Sequence, residues 1–279
     1  MEPSPAVARE ERWALAAALG AFATVALYVL SVILEQSSGL QTSGPDSEQV
    51  RSFHDHAGAL LLSTIVRSIG FLALCIPLLY LFGAARARSE RVRPEMVGFV
   101  FIGPVLLAAQ GVVSWAASKQ IGDDFVAMAA ASERPVALAE RLIDDSSLRE
   151  IAAALLIPAV LGLMVALLYI SLQAMRTGLL PRFAGSLGMA LGVAMILILP
   201  VALLLFLLWL LYVGLLILGR IPGGKPPAWT TGEAIPWPTP GEKAAAELQA
   251  SNEVNEASTE ADPDSPTGPA DRPEQERSR

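Results

Sequence analysis

The sequence predicts an all-α, polytopic transmembrane helical bundle with a disordered acidic C-terminal tail. Of its 279 residues, 53% are hydrophobic and 17% are charged, whereas a soluble domain carries about 25% charged residues. Much of the surface is therefore expected to face lipid. Six apolar stretches reach the roughly 17 to 25 residues that a membrane-crossing helix needs. These stretches contain one formally charged residue, Arg67.

The six predicted spans follow a short N-terminal segment, residues 1–12, and belong to a membrane domain that covers residues 13–219. They cover residues 13–34, 60–82, 97–117, 151–172, 183–199 and 201–218. The first run is longer than the 7 to 15 residues of a signal-peptide core, and no A-x-A cleavage pattern follows it. We therefore interpret it as an uncleaved anchor.

The last two spans are predicted from one long apolar run. Residues 185–219 would form a helix about 52 Å long, which overshoots a hydrocarbon core of about 30 Å. Two short helices that turn near Pro200 fit the bilayer better and give six spans. The alternative is one tilted helix kinked at Pro200, which gives five.

The basic residues predict the orientation of the bundle. Lys and Arg are enriched in cytoplasmic loops of membrane proteins, and ten of them lie before the first span or after the second, fourth and sixth spans here. They are Arg9, Arg12, Arg86, Arg88, Arg91, Arg93, Arg176, Arg182, Arg220 and Lys225. Six spans place all ten, and both termini, on the cytoplasmic side of the plasma membrane. Five spans would place Arg220, Lys225 and the tail outside.

Two polar regions flank the predicted spans. The outer loop, residues 118–150, is long enough for one or two short helices: Asp123 and Asp124 are typical of an N-terminal cap, and Pro135 is typical of a first helical turn. A helical cap on the bundle is favoured over a substrate lid. Residues 241–279 contain ten acidic and four basic residues without apolar periodicity, which predicts disorder.

Arg67 and Gln110 are the candidate intramembrane polar site. A charge at the centre of a span costs roughly 2.5 to 3.5 kcal/mol, so Arg67 must face protein or water, or extend its long side chain towards the interface. Gln110 is a candidate hydrogen-bond partner, and Asp123 or Asp124 a candidate ionic partner. A structural tether is favoured over a ligand or ion pathway.

His54 and His56 are the two histidines and a weak candidate metal pair. On an extended chain, residues two apart point the same way, but a zinc site needs three or four ligands, and carboxylates would have to supply the others. A polar start to the second span is the favoured interpretation. Cys75 stands alone, so no intrachain disulfide is expected.

Small residues four apart, Ala184, Gly188 and Gly192, permit close helix packing. This stripe packs either inside the chain, which is favoured, or in a homodimer or a complex with another membrane protein. The sequence shows no hydrolase, zinc-protease or phosphate-loop motif, so neither an enzyme nor a bound cofactor is predicted. Its 20 basic residues do not outnumber the 27 acidic ones or form a basic face, which argues against nucleic acid.

Residues 220–240 form a Pro- and Trp-rich segment after the last span. Trp229 and Trp237 have the amphipathic rings typical of the lipid headgroup layer. They are therefore candidate interfacial anchors. The segment is expected to run along the inner membrane face or under the cytoplasmic ends of the helices.

The stretch GRIPGGKPPAWTTGEAIPWP, which starts at Gly219, resembles a GRxPxGxPPAWxxGxAxPWP signature of a group of uncharacterised bacterial multi-pass integral membrane proteins. HDHAGALLLSTIVRSIGF, PLLYLFGAARARSE, ERLIDDSSLRE and AMRTGLLPRFAGSLG are similar to the same group. The resemblance implies a multi-span protein whose fifth and sixth helices form a hairpin, and it carries over no catalytic residue. We expect a non-enzymatic scaffold, accessory or envelope component. The alternative is a small-solute transporter or channel subunit with a cavity around Arg67 and Gln110.

Overall fold

The computed structural model describes residues 5–130, 132, 134–197, 199–222, 224–237, 241–242, 244–245 and 248–252. Throughout these ranges the regular secondary structure is helical. The helices are α1 (Pro5–Ser37), α2 (Asp46–Arg88), α3 (Val97–Ala129), α4 (Pro135–Asp144), α5 (Ser147–Arg176), α6 (Arg182–Leu197), α7 (Leu199–Ile217) and α8 (Pro227–Thr231). A 3-10 turn at Pro94–Met96 precedes α3.

Four of these helices, α1, α2, α3 and α5, are long and apolar enough to cross a membrane. Their outward faces are apolar as well, with exposed side chains such as Leu19, Ile33, Leu62 and Ile69. A helix that is hydrophobic all round is typical of a membrane span. The coarse prediction is therefore confirmed for the described residues, whose regular structure is all helical and includes four candidate membrane spans.

Neighbouring helices pack antiparallel, in the order α1, α2, α3, α5 and α6, and α7 returns to pack on α1. Their inward faces form one core, which includes the fully buried Leu74, Leu78, Leu167 and Leu210. The bundle has two ends. We call the end that carries α4 the cap end and the opposite end, which carries α8, the α8 end.

Glycines set the closest helix approaches. A Cβ atom on Gly103 of α3 would lie 2.5 Å from the backbone nitrogen of Leu163 on α5, and one on Gly162 would lie 3.0 Å from the Gly103 nitrogen. The two backbones therefore touch at this crossing. Because any side chain larger than hydrogen would fill the contact, both positions require glycine.

Helices α6 and α7 fold back on each other as a hairpin. The Trp209 indole nitrogen on α7 donates to the Ala184 carbonyl on α6 at 2.8 Å, although these residues would lie about 37 Å apart along one continuous helix. The alternative of a single kinked helix is wrong for this reason. Residue 198, between α6 and α7 in the sequence, lies outside the described residues.

The stripe of small residues on α6 lies inside the chain. Ala184, Gly188 and Gly192 are all buried. A Cβ atom on Gly188 would lie 2.9 Å from the Trp209 ring, and one on Gly192 would lie 3.2 Å from the Met164 carbonyl oxygen of α5. The stripe therefore seats α6 between α5 and α7 of the same chain.

At the cap end, α2 and α3 extend beyond their predicted spans. Helix α2 begins at Asp46 and α3 ends at Ala129, because apolar side chains continue at helical spacing and are buried there. Phe125 packs with Val50, Ile121 and Ala139 of α4. Asp123 and Asp124 therefore lie within α3 and do not cap a new helix, while Pro135 begins α4.

The chain divides after Trp237 into two units. The described residues of the second unit, 241–242, 244–245 and 248–252, have helical backbone and are exposed. Most of the tail for which disorder was predicted, including residues 253–279, lies outside the described residues.

Candidate functional site

Arg67 lies on α2 towards the cap end and faces α1. Its guanidinium forms an ion pair with Glu35, its Nε donates to the Ser31 hydroxyl at 3.1 Å, and its central carbon lies 5.8 Å from the centroid of the Tyr28 ring. This distance is within the range of a cation–π contact. Arg67 is thus tied to α1.

The ionic partner of Arg67 differs from the predicted one. Glu35 pairs with it, whereas Asp123 binds Lys119 and His54. Tyr28, Ser31 and Glu35 recur every three to four residues, so they lie on one face of α1. This spacing is a signal in the sequence, but Glu35 lies just after the first predicted span, which ends at residue 34, so an apolar pattern does not include it.

A polar cavity of about 300 Å³ opens beside this ion pair. Arg67, Glu35 and Gln110 line it together with hydroxyl side chains from α2 and α3, namely Ser63, Thr64, Ser68, Ser114 and Ser118. The two residues predicted as an intramembrane site therefore share one cavity, although no hydrogen bond joins Gln110 to Arg67 in the described chain. The cavity can accommodate water or a small polar ligand.

The cavity reaches Phe71 and Leu107, about one helical turn past Arg67. A separate void of only about 10 Å³ lies between α1, α2 and α7, lined by Thr24, Tyr28 and Gly70 among others. Thr24 is 3% exposed, and its hydroxyl donates to the Gly20 carbonyl within α1. Further along α2 the bundle is filled by the fully buried Leu74 and Leu78. Among the described residues, the polar pocket therefore faces a packed apolar core towards the α8 end.

If Arg67 is a tether, then removing either partner should weaken the bundle by a similar amount. Arg67→Leu and Glu35→Gln are each expected to leave membrane insertion intact and to lower the melting temperature in detergent. Because the pair is partly exposed, with side chains 32% and 39% accessible, the loss is expected near 1 kcal/mol, and the double variant should lose little more.

Arg51→Leu is the matched control for this tether, since Arg51 lies exposed on the same helix. Additive losses in the double variant, or melting temperatures equal to those of wild type and Arg51→Leu, would contradict the tether.

His54 and His56, the weak candidate metal pair, point to different sides of α2. They lie on helix α2, where residues two apart point about 200° from each other, and not on the extended chain that the metal interpretation requires. The His54 Nδ1 lies 2.9 Å from Asp123 Oδ1, and the His56 Nδ1 lies 2.8 Å from the Ser52 carbonyl oxygen. Within the described ranges, no three His, Cys, Asp or Glu side chains are grouped to hold a metal ion.

A second polar cluster lies at the α8 end, where Arg88 and Glu10 form a buried ion pair. Their side chains are 0% and 5% exposed. The guanidinium binds both carboxylate oxygens of Glu10, at 2.5 and 2.8 Å, and donates to the carbonyl oxygens of Ala84 and Ala228. A charged pair tolerates such burial only when its hydrogen-bonding groups are satisfied in this way.

Trp229 completes this cluster and is not a lipid anchor. It is 5% exposed, its ring stacks on Tyr80 at a centroid distance of 5.5 Å, and its indole nitrogen donates to the Leu179 carbonyl at 3.0 Å. Arg88 lies 5.5 Å from the centroid of the same ring. The tryptophan is thus buried among the α8 ends of the helices, where a lipid headgroup cannot reach its ring.

Trp237 is half-buried and lies near the start of α6. Its carbonyl oxygen accepts a hydrogen bond from Arg182 at 2.9 Å, and the Ile235 nitrogen donates to the Thr177 carbonyl. The segment after α7 is therefore fastened to the bundle at several points.

Comparison with known proteins assigns neither a family nor a function to the chain. No family model, curated protein or solved structure matches the chain. The two polar clusters and the packing between them are therefore the features from which a function can be inferred. One cluster opens to a pocket and is suited to binding, while the other is buried and is suited to holding helix ends together.

Proposed function

We propose that the chain is a multi-pass plasma-membrane protein with six spans and both termini cytoplasmic, and that it serves as a non-enzymatic scaffold, accessory or envelope component. The proposed non-enzymatic role rests on one observation, the packed apolar core on the α8 side of Arg67. A transport path must continue through the membrane, whereas the polar pocket here stops above fully buried leucines. The resemblance of several segments to a group of uncharacterised bacterial multi-pass membrane proteins also supports this proposal.

The α6–α7 hairpin supports six spans. The two helices contain 16 and 19 residues, about 24 and 28 Å at 1.5 Å per residue, and short spans are accommodated by local thinning of the bilayer. Arg88 at the end of α2 also reaches the Ala228 carbonyl that follows α7. An even number of passes places these residues at the same face of the membrane, in agreement with the distribution of arginine.

A small-solute transporter or channel subunit is the second candidate, and the pocket around Arg67 and Gln110 favours it. Its polar lining and volume of about 300 Å³ suit a small ligand. The ion pair at its base presents a positive and a negative group together. A transporter would alternate with a second conformation in which this pocket opens to the α8 end.

Single cysteines in a Cys75→Ser background test these proposals in sealed vesicles with a membrane-impermeant thiol reagent. We expect Ser118→Cys and Ser114→Cys, which line the pocket, to react only with reagent added outside. Thr230→Cys, on α8, should react only with reagent inside the vesicles. Thr24→Cys, which is buried in α1, should not react. Reaction of Ser114→Cys from both sides would favour transport, and outside reaction of Thr230→Cys would contradict six spans.

A scaffold or accessory role also requires a stable partner. Crosslinking in native membranes, followed by purification of the full chain, should recover one partner protein in constant ratio. Solute uptake by vesicles that contain the purified chain alone would contradict this role.

A further inference from the structure

An apolar groove of about 750 Å³ runs between α1 and α2 at the α8 end and reaches the start of α3. Its volume lies in the range of roughly 300 to 1,000 Å³ that is usual for ligand pockets. Its walls are formed by Ala17, Ile76, Leu79, Phe82 and Val97. The groove is separate from the pocket at Arg67 and is not explained by the proposed scaffold role.

One end of the groove is closed. The two helices converge at Gly20, where a Cβ atom would lie 2.9 Å from the Ile76 Cβ and 3.1 Å from the Pro77 Cδ. Arg9, on the same helix, lies at the opposite end of the groove, and eleven residues of helix correspond to about 16 Å. The groove is therefore a tapered slot with a closed apolar end and an open end.

The open end is positively charged. Arg9 and Arg86 line it with exposed side chains, and in the described chain neither side chain has a hydrogen bond or an ion pair. Glu10 also lines the groove, but both of its carboxylate oxygens bind Arg88. Two uncompensated positive charges thus remain where the apolar slot begins.

This combination matches the chemistry of one ligand class. Trp13, 62% exposed on the rim, has the ring type that settles at the headgroup level of a bilayer, which places the arginines near lipid phosphates. A soluble anion would leave the apolar slot unfilled, and an apolar helix would leave the two arginines without counter-charges. We propose that this groove binds one anionic phospholipid, with an acyl chain in the slot and its phosphate between Arg9 and Arg86.

The contribution of the two arginine charges to lipid binding is tested with the purified full chain in detergent. Native mass spectrometry measures the binding of phosphatidylglycerol and of phosphatidylcholine. Phosphatidylglycerol should bind more tightly. Arg9→Gln and Arg86→Gln should each weaken its binding about fivefold, since a basic residue at an anionic membrane surface contributes about 1 kcal/mol. Arg12→Gln is the matched control, because Arg12 lies on the same helix but does not line the groove.

The shape contribution is tested with Gly83→Leu. Gly83 lines the groove and has no atom within 4 Å of its Cβ position, so leucine should fill the slot without disturbing the fold and should abolish binding. Gly98→Leu, equally open but outside the groove, should bind phosphatidylglycerol as wild type does.

Three outcomes would overturn the proposal. Equal binding of the two lipids, or undiminished binding to Gly83→Leu, would exclude a specific anionic lipid. Displacement of the lipid by glycerol phosphate at equal concentration would indicate a site for the headgroup alone. Conversion of a dimer to a monomer by Gly83→Leu would show that a second copy of the chain fills the groove.

Discussion

Replacing Glu10 with Ala is expected to lower the free energy of unfolding of the bundle by about 3 to 5 kcal/mol, because it leaves the buried Arg88 guanidinium without its counter-charge. Arg88 would keep its bonds to the Ala84 and Ala228 carbonyls, which do not neutralise it. The melting temperature in detergent measures this loss. Cys75, the single cysteine of the chain and buried, reports unfolding when it reacts with a fluorogenic thiol reagent.

Glu11→Ala is the control for this experiment, since Glu11 is adjacent but exposed. It should melt close to wild type. The double variant Glu10→Leu/Arg88→Leu should recover much of the loss, because an apolar pair of similar volume removes the buried charge altogether. If Glu10→Ala and Glu11→Ala melt at the same temperature, then the buried ion pair does not stabilise the bundle.

Replacing Gly103 with Ala is expected to force α3 and α5 apart. The added methyl carbon would lie 2.5 Å from the nitrogen and 2.7 Å from the Cα atom of Leu163. These are backbone atoms, which cannot rotate away as a side chain can. The cost is expected near 3 kcal/mol, at the upper end of typical overpacking losses, and the same Cys75 assay measures it.

Gly98→Ala provides the comparison within the same helix. No atom lies within 4 Å of the Gly98 Cβ position, and Ala exceeds Gly in helix propensity by up to about 1 kcal/mol. This variant should melt at or slightly above the temperature of wild type. Equal melting temperatures for Gly98→Ala and Gly103→Ala would show that the α3–α5 crossing is looser than the structure has it.

The long apolar helices were predictable because length and apolar content are local properties of the sequence. Their ends were not. Helix α3 continues to Ala129 because Phe125 packs on Val50 and Ala139, which are distant in the sequence. A hydropathy pattern ends where the apolar run ends, whereas a helix ends where its tertiary contacts end.

The candidate sites were predictable to different degrees. Arg67 was found because a charge within an apolar run is conspicuous, but its partner Glu35 depends on the rotation of α1 against α2. Arg88 was counted among the residues that orient the spans, since the sequence does not distinguish an arginine at the membrane surface from one buried at a helix end. Trp229 was assigned to the lipid interface for the same reason, although Tyr80 and Arg88 cover its ring.

The bonds from Arg88 to Ala228 connect residues 140 positions apart in the chain. A ribosome that adds 5 to 20 residues per second reaches Ala228 roughly 7 to 28 s after Arg88. Glu10 is made before Arg88 and is available at once, so neutralisation of the charge precedes the final hydrogen bonds. Attachment of α8 to the bundle is therefore a late event of biosynthesis. A chain released before Trp229 would reach the membrane with all its apolar helices but without the contacts of α8 to Tyr80, Arg88 and Leu179.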